Sequence, residues 1–189
     1  MNKYGSITVI TGPMRSGKSE EMLRLVKRFR IAGKYVLIFK PDKDNRFDEG
    51  STVSRDNRTE PCVVVPASSP AYINAHIDDS VDVVVIEEAQ FFDTIAASDK
   101  SIVSVVQELC DKGIHVLIAG LDMDTDRKPF GKMPELLAVA TEVIKLQSVC
   151  EGCHEEPGTY SFREGKTEQV LVGDEGYEAL CGRCYLEKR

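Results

Sequence analysis

The chain has 189 residues, of which 42% are hydrophobic and 29% are charged, with a formal net charge of -7. This length and composition fit one compact domain, or one domain with a small appendage, and exclude large multidomain assemblies and low-complexity chains. The acidic balance disfavours a nucleic-acid-binding surface, but residues 1–60 hold thirteen basic and eight acidic residues, which suits a small phosphorylated ligand.

Strand-like runs recur along the chain and are apolar throughout, which is typical of strands buried on both faces of a parallel sheet. These runs span 6–11, 35–40, 62–65, 82–87 and 114–119. Helical spacing of apolar residues lies between several of them, over 22–29 before Gly33 and over 102–109 before Gly113. The alternation predicts an α/β fold, with a mainly parallel sheet flanked by helices on both faces.

Two polar stretches, 41–60 and 120–135, are predicted as long loops at the carboxyl edge of the sheet, where such folds bind ligands. From Cys150 onward the pattern changes to short segments around cysteine pairs. We therefore predict a nucleotide-binding domain over 1–148 and a small zinc-ribbon-like domain over 149–189.

The first strand leads directly into a phosphate-binding motif, G-x-x-x-x-G-K-[ST], that precedes a helix. Its members are Gly12, Pro13, Met14, Arg15, Ser16, Gly17, Lys18 and Ser19. Glycines let consecutive backbone N–H groups face a phosphate, and the positive end of the helix adds to the attraction. We expect a P-loop (RecA-like) fold that binds ATP, with Lys18 on the outer phosphates and Ser19 on Mg²⁺. Arg15 either adds charge to this loop or is exposed.

The strand at 82–87 ends in two adjacent acids, Glu87 and Glu88, followed by Ala89 and Gln90. An acid at such a strand end holds Mg²⁺ in many nucleotide-dependent enzymes. Two buried carboxylates would repel each other unless a cation or a proton-transfer role accounts for them. We assign Glu87, Ala89 and Gln90 to the nucleotide side, and expect Glu88 to accept a proton or orient water. The alternative is that both acids begin an exposed loop.

Four of the six cysteines form two C-x-x-C pairs, Cys150 with Cys153 and Cys181 with Cys184. Without an export signal, such pairs favour metal ligation over disulfides, although a redox role is the alternative. Four thiolates fit a closed, structural Zn²⁺ site that has no open position for catalysis. The 27 residues between the pairs exceed the usual zinc-ribbon span and predict a loop pinned at its base by the metal.

The longest apolar runs have about six residues, whereas roughly 20 are needed to cross a bilayer. The N-terminus also lacks the charged and then apolar pattern of an export signal. We therefore expect a soluble, cytoplasmic protein that associates with neither membrane nor nucleic acid.

Further segments complete a recognisable combination: E-A-Q-F-F at 88–92, G-L-D at 120–122 and K-P-F-G at 128–131. With the phosphate loop and the cysteine pairs, the chain resembles the smaller, zinc-containing group of the thymidine kinase family over nearly its full length. The resemblance implies transfer of the γ-phosphoryl group of ATP to the 5′-hydroxyl of thymidine. It also implies a homotetramer that is inhibited by the end product dTTP.

The resemblance assigns roles that agree with this chemistry: Glu88 as catalytic base, 12–19 as phosphate loop and the four paired cysteines as zinc ligands. It also implies that the loop between the cysteine pairs closes over the pyrimidine and bonds its edge through backbone groups. The residues implied on the substrate side are Met14, Asp56, Phe91, Leu121, Ser161, Arg163, Leu171, Val172, Gly173 and Tyr177.

Three positions depart from the family pattern. Glu87 stands where Asp is usual, so a longer carboxylate must serve Mg²⁺. Thr125 stands where a Phe commonly packs on the base. The absence of that aromatic ring removes on the order of 1 kcal/mol of stacking. Glu20 stands where Thr is common, close to the expected phosphates.

Other functions remain open on the residues alone. One is a P-loop ATPase in which Glu88 activates water and a zinc ribbon docks nucleic acid or a protein partner. Another is a nucleotide-binding regulator without transfer activity, and a third is a nucleoside kinase with altered base specificity.

Overall fold

The structure is a computed structural model that describes residues 4–42, 51–53, 59–92, 100–164 and 176–189. Its strands are β1 Ser6–Thr11, β2 Val36–Pro41, β3 Ser51–Val53, β4 Thr59–Pro61, β5 Val63–Val65, β6 Val83–Ile86, β7 His115–Gly120, β8 Glu142–Lys145, β9 Ser148–Val149, β10 Pro157–Gly158, β11 Tyr160–Arg163 and β12 Tyr177–Leu180. Its helices are α1 Lys18–Ile31, α2 Ile102–Asp111, α3 Met133–Val139 and α4 Gly182–Lys188, with 3₁₀ turns at Pro70–His76 and Ala89–Phe91.

The described strands include a six-stranded parallel sheet in the order β5-β2-β6-β7-β1-β8. All five predicted strands are confirmed, with ends that agree within one or two residues. The sixth strand, β8, was not predicted, because its side chains are mostly exposed and it carries no apolar run. It pairs with β1 at the sheet edge, so that Thr11 lies opposite Lys145.

Helices cover both faces of the sheet, as predicted. On one face, α1 buries Met22, Leu23 and Val26 against the apolar side chains of the central strands. On the other face, α2 and α3 bury Leu109 and Leu136 in a second cluster. Gly33 and Gly113 follow the ends of α1 and α2 with φ of 74° and 83°, which glycine adopts readily.

Three expectations need correction. The run at 62–65 forms the edge strand β5, so Val64 is 38% exposed rather than buried on both faces. The predicted loop 120–135 contains the start of α3 at Met133. The other predicted loop, 41–60, includes an antiparallel pairing of β3 with β4, while 43–50 and 54–58 lie outside the described residues.

The C-terminal segments form two small antiparallel pairings, β9 with β10 and β11 with β12, followed by α4. A separate apolar cluster joins them around Leu180, Tyr185 and three of the paired cysteines. The boundary near residue 148 stays a prediction. In the part of the chain that the structure describes, every helix is too short or too polar to span a bilayer.

Candidate functional site

The phosphate loop follows β1 and has the backbone that an anion-binding turn requires. Gly12 has a φ of 143°, and a Cβ at that position would lie 2.4 Å from the carbonyl oxygen of Leu146. Arg15 and Gly17 also have positive φ, at 60° and 81°. Lys18 Nζ donates a hydrogen bond to the carbonyl oxygen of Pro13 at 2.7 Å. Alternation between left-handed and ordinary backbone turns successive N–H groups toward one concavity that suits a phosphate.

Ser16 supplies an independent observation at the same turn. Its hydroxyl oxygen is buried and has no hydrogen-bond partner among the residues that the structure describes. A buried polar group without a partner is unfavourable, and native structures rarely keep one without a reason. A phosphate oxygen of ATP is an acceptor that would satisfy this hydroxyl, so the turn fits a nucleoside triphosphate.

The phosphate loop and the acidic strand end meet through a side-chain hydrogen bond. Ser19 Oγ, at the start of α1, donates to Glu87 Oε1 at 3.1 Å, and Glu87 is buried. Oxygens on adjacent positions of a Mg²⁺ ion with bonds of about 2.0–2.1 Å lie about 2.9 Å apart. The two oxygens therefore fit a shared Mg²⁺, although Glu87 is longer than the usual aspartate.

Glu88 begins the 3₁₀ turn after β6 with a left-handed backbone, at φ 50° and ψ 42°. Its Oε2 accepts a hydrogen bond from Nε2 of Gln90, which is fully buried. The other amide atom of Gln90, Oε1, accepts from the backbone N–H of Leu121 at 3.1 Å. Gln90 thus connects Glu88 to the segment after β7. Such strained non-glycine backbone is concentrated at functional sites.

Gly120, the first residue of the G-L-D motif, is required for this connection, a role that sequence reasoning did not assign. A Cβ at Gly120 would lie 2.8 Å from both Gln90 Oε1 and Met133 Sδ. Ala89 is fully buried beside Gln90 in the same turn.

Three apolar residues predicted on the substrate side, Met14, Phe91 and Leu121, are buried or partly buried. Phe91 is buried and packs edge to face on Phe130, with ring centroids 5.7 Å apart. Met14 is buried in the phosphate loop, and Leu121 is partly buried next to Gln90. Phe130 belongs to the K-P-F-G motif, but its pairing with Phe91 was not predicted.

The pairing of β11 with β12 brings three sequence-predicted substrate residues together. Ser161 Oγ accepts a hydrogen bond from the backbone N–H of Met14 at 2.9 Å, which joins the phosphate loop to the C-terminal part of the chain. Arg163 lies opposite Tyr177, donates to its hydroxyl at 3.3 Å and stacks on its ring. The remaining predicted residues, Asp56, Leu171, Val172 and Gly173, lie outside the described residues.

The segment around Thr125 contacts the C-terminal part directly. Tyr185 donates its hydroxyl hydrogen to the carbonyl oxygen of Thr125 at 2.6 Å. The guanidinium of Arg127 lies 4.8 Å from the ring centroid of Tyr185 and 5.4 Å from that of Tyr160. These contacts fix the segment that contains Thr125, the residue that stands where the family pattern has Phe. Sequence reasoning did not predict them.

The paired cysteines converge as predicted. All four sulfurs lie within 4.8 Å of one another, and the six cysteines, all within the described residues, form no disulfide. A tetrahedral Zn²⁺ with bonds of about 2.3 Å places its sulfurs about 3.8 Å apart. The cluster therefore fits one Zn²⁺ ion, held by Cys150, Cys153, Cys181 and Cys184. Gly152 is needed in the first knuckle, because a Cβ there would lie 2.9 Å from Cys184 Sγ.

Backbone N–H groups are directed at these sulfurs. Burial opposes ionisation of Cys150, but N–H bonds from Cys153, Cys181 and Gly152 outweigh it and lower its pKa to about 6. N–H groups of Glu155 and Glu156 lower the pKa of Cys153. Burial and the neighbouring thiols raise the pKa of Cys184 to about 12. Thiolate is the form that binds zinc, and a cation would offset the repulsion that keeps Cys184 protonated.

Comparison with known proteins gives a consistent result. The family model described as "Thymidine kinase" matches residues 5–185. A thymidine kinase of Porphyromonas gingivalis is 46% identical over 188 residues, covering 97% of this chain and 86% of the relative. One from Mycoplasma mobile is 44% identical over 185 residues, covering 97% and 88%. One from Bacteroides thetaiotaomicron is 41% identical over 189 residues, covering 99% and 90%.

Proposed function

The chain belongs to the thymidine kinase family, and we propose that it transfers the γ-phosphoryl group of ATP to the 5′-hydroxyl of thymidine with Glu88 as the general base. The product is dTMP. The observation that carries the assignment of roles is the hydrogen bond from Ser19 to Glu87, because it joins the phosphate loop to the strand end on which Glu88 lies.

Catalysis in this proposal is positional and electrostatic. The backbone N–H groups of 12–19 bind the phosphates, and Lys18 moves from the carbonyl oxygen of Pro13 to offset charge on the transferred group. Ser19 and Glu87 would hold Mg²⁺, which would supply further charge compensation on the phosphates. Glu88 accepts the proton of the 5′-hydroxyl as that oxygen attacks phosphorus and the bond to the β-phosphate oxygen breaks.

The acceptor nucleoside binds between the apolar side chains after β6 and β7 and the pairing of β11 with β12. Met14, Phe91 and Leu121 contact the base in this proposal, with Phe130 as a second aromatic wall behind Phe91. Ser161, Arg163 and Tyr177 lie on the opposite side, and all three belong to the stretch between the cysteine pairs that the resemblance identifies as the covering loop. Because Thr125 offers no ring, the Phe91 and Phe130 pair carries the aromatic contribution.

A nucleoside panel tests this function. The protein is mixed with γ-labelled ATP, Mg²⁺ and one nucleoside at a time, and the products are separated. We expect labelled dTMP with thymidine and little phosphate release without nucleoside. Phosphate release that does not depend on nucleoside would instead support the ATPase alternative, and ATP binding without either product would support the regulator.

The Mg²⁺ dependence tests the pairing of Ser19 with Glu87. We expect Glu87→Gln to raise the Mg²⁺ concentration for half-maximal activity by about tenfold, because a neutral amide is a weaker ligand than a carboxylate. Glu87→Asp restores the shorter acid of the family pattern and retains most of the activity. Mg²⁺ titrations of initial rate at saturating ATP measure both variants, and an unaltered midpoint in Glu87→Gln would remove Glu87 from the metal site.

We also propose the assembly and setting that the resemblance implies: a cytoplasmic homotetramer that is inhibited by dTTP. The six cysteines form no disulfide, which is compatible with a reducing compartment. A triphosphate that carries the thymine base can occupy the acceptor pocket with its base while its phosphates extend toward 12–19, which explains competition by the end product. The domain boundary near 148 belongs to the same proposal.

A further inference from the structure

Arg15 of the phosphate loop is held by an acid of the first zinc knuckle. Arg15 Nη1 donates to Glu151 Oε1, and the two side chains are 29% and 31% exposed. Glu151 is itself fixed at two further points, because its Oε2 accepts from the N–H of Ala179 at 2.7 Å. Its own N–H donates to the carbonyl oxygen of Ala179 at 2.8 Å. The carboxylate that meets Arg15 is therefore firmly anchored on β12.

Arg15 also has a backbone that residues with a Cβ rarely adopt, at φ 60°. This left-handed residue lies in the turn whose N–H groups face the expected phosphates. The preceding residue, Met14, donates its N–H to Ser161 Oγ on β11. Two consecutive residues of the phosphate loop are thus held by the C-terminal part of the chain: Met14 by Ser161 on β11, and Arg15 by Glu151, which is bonded to β12.

We propose that Glu151 is a positioning residue for ATP binding: by holding Arg15, it stabilises the left-handed backbone that the phosphate loop needs. The inference rests on the proposed nucleotide site at 12–19. It also connects the cysteine cluster to ATP binding, because the first knuckle carries Glu151 between Cys150 and Cys153. Glu151 acts here through the side chain of Arg15, and the backbone of Arg15 contacts ATP.

Substitutions at Arg15 separate backbone positioning from charge. Arg15→Ala removes the anchor and keeps a Cβ, whereas Arg15→Gly removes the anchor but adopts positive φ freely. We expect Glu151→Gln and Arg15→Ala to raise the Kd for ATP about threefold to tenfold. Each variant loses one partly exposed ion pair, and with it the support for one left-handed residue. Arg15→Gly should bind ATP nearly as the unaltered protein does, and adding Glu151→Gln to it should have no further effect.

The measurements are calorimetric titration with ATP, KM for ATP and for thymidine, zinc per chain and melting temperature. KM for thymidine should stay unchanged, and each variant should keep about one zinc per chain. Glu108→Gln is the matched control, because Glu108 lies on α2, away from the phosphate loop, and forms an exposed ion pair with Lys100. It should leave the Kd for ATP unaltered.

Several outcomes would overturn the inference. If Arg15→Gly weakens ATP binding as much as Arg15→Ala, Arg15 acts by its charge on the phosphates. If Glu151→Gln binds ATP normally, the contact has no positioning role, and if it loses zinc, Glu151 supports the metal site instead. Failure of the unaltered protein to bind ATP is a separate result that would remove the proposed nucleotide site itself.

Discussion

Glu88→Gln should lower kcat by about 100-fold to 10,000-fold, the range that a positioned general base contributes. The amide has nearly the same shape as the carboxylate but cannot accept the proton of the 5′-hydroxyl. Binding of ATP should change little, because in the proposed mechanism 12–19 bind the phosphates and Glu88 contacts the acceptor hydroxyl. Single-turnover rates and a calorimetric ATP titration on the same preparation measure the two effects.

Glu88 also takes part in a hydrogen-bond network that holds the turn after β6, so Glu88→Gln needs a control for folding. Glu88 accepts a hydrogen bond from Gln90, which also accepts from the N–H of Leu121. A glutamine at 88 can keep that bond through its own carbonyl oxygen, so the turn after β6 should stay folded. An unaltered melting temperature checks this, and Glu108→Gln again serves as a substitution of the same type elsewhere. Near-normal turnover in Glu88→Gln would contradict its assignment as the base.

Cys150→Ser should remove zinc from the chain and lower kcat/KM by at least about 100-fold, since structural zinc contributes on the order of 10 kcal/mol to the fold of such modules. Cys150 is fully buried, and its sulfur accepts from the N–H of Cys181 at 3.1 Å. Losing this ligand opens the cluster on which β11, β12 and α4 pack. Ser161, Arg163 and Tyr177 then lose their positions, so the substrate site fails, and Met14 and Arg15 of the phosphate loop lose the contacts that Ser161 and Glu151 make with them.

Elemental analysis of chelator-free protein measures zinc, and amide hydrogen exchange over 148–189 reports whether these segments lose protection. Cys62→Ser is the matched control, because Cys62 is a partly buried cysteine that lies outside the cluster and forms no disulfide. It should retain about one zinc per chain. A Cys150→Ser protein that still holds one zinc per chain, or that remains fully active, is incompatible with a four-thiolate structural site.

The fold could be predicted from the sequence wherever burial left a local pattern. Five strands of the parallel sheet are continuous apolar runs, and α1 and α2 end at glycines in the left-handed region. The edge strand β8 was missed because Glu142–Lys145 is mostly exposed and has no apolar run. The helix α3 was missed because Met133–Val139 is too short to show several turns of periodicity.

The candidate site likewise consists of motifs that the sequence predicts and of contacts between them that it does not. The phosphate loop, the paired acids and the cysteine pairs are contiguous in sequence, so their spacing alone predicts their chemistry. The contacts between these motifs have no such signal. Ser19 and Glu87 are 68 residues apart, Thr125 and Tyr185 are 60 apart, and Arg15 and Glu151 are 136 apart.

By itself, the sequence determined which chemical groups the protein has, because phosphate binding, proton transfer and zinc ligation each need particular residues at short, fixed spacings. Only the tertiary structure decided which of these groups meet. The strand order places β7 between β6 and β1, and a set of uniformly apolar strands is compatible with many orders. Hydrogen bonds and ion pairs act over about 3 Å, so the partners of Ser19, Gln90 and Arg15 depend on that order and on the packing of the C-terminal strands.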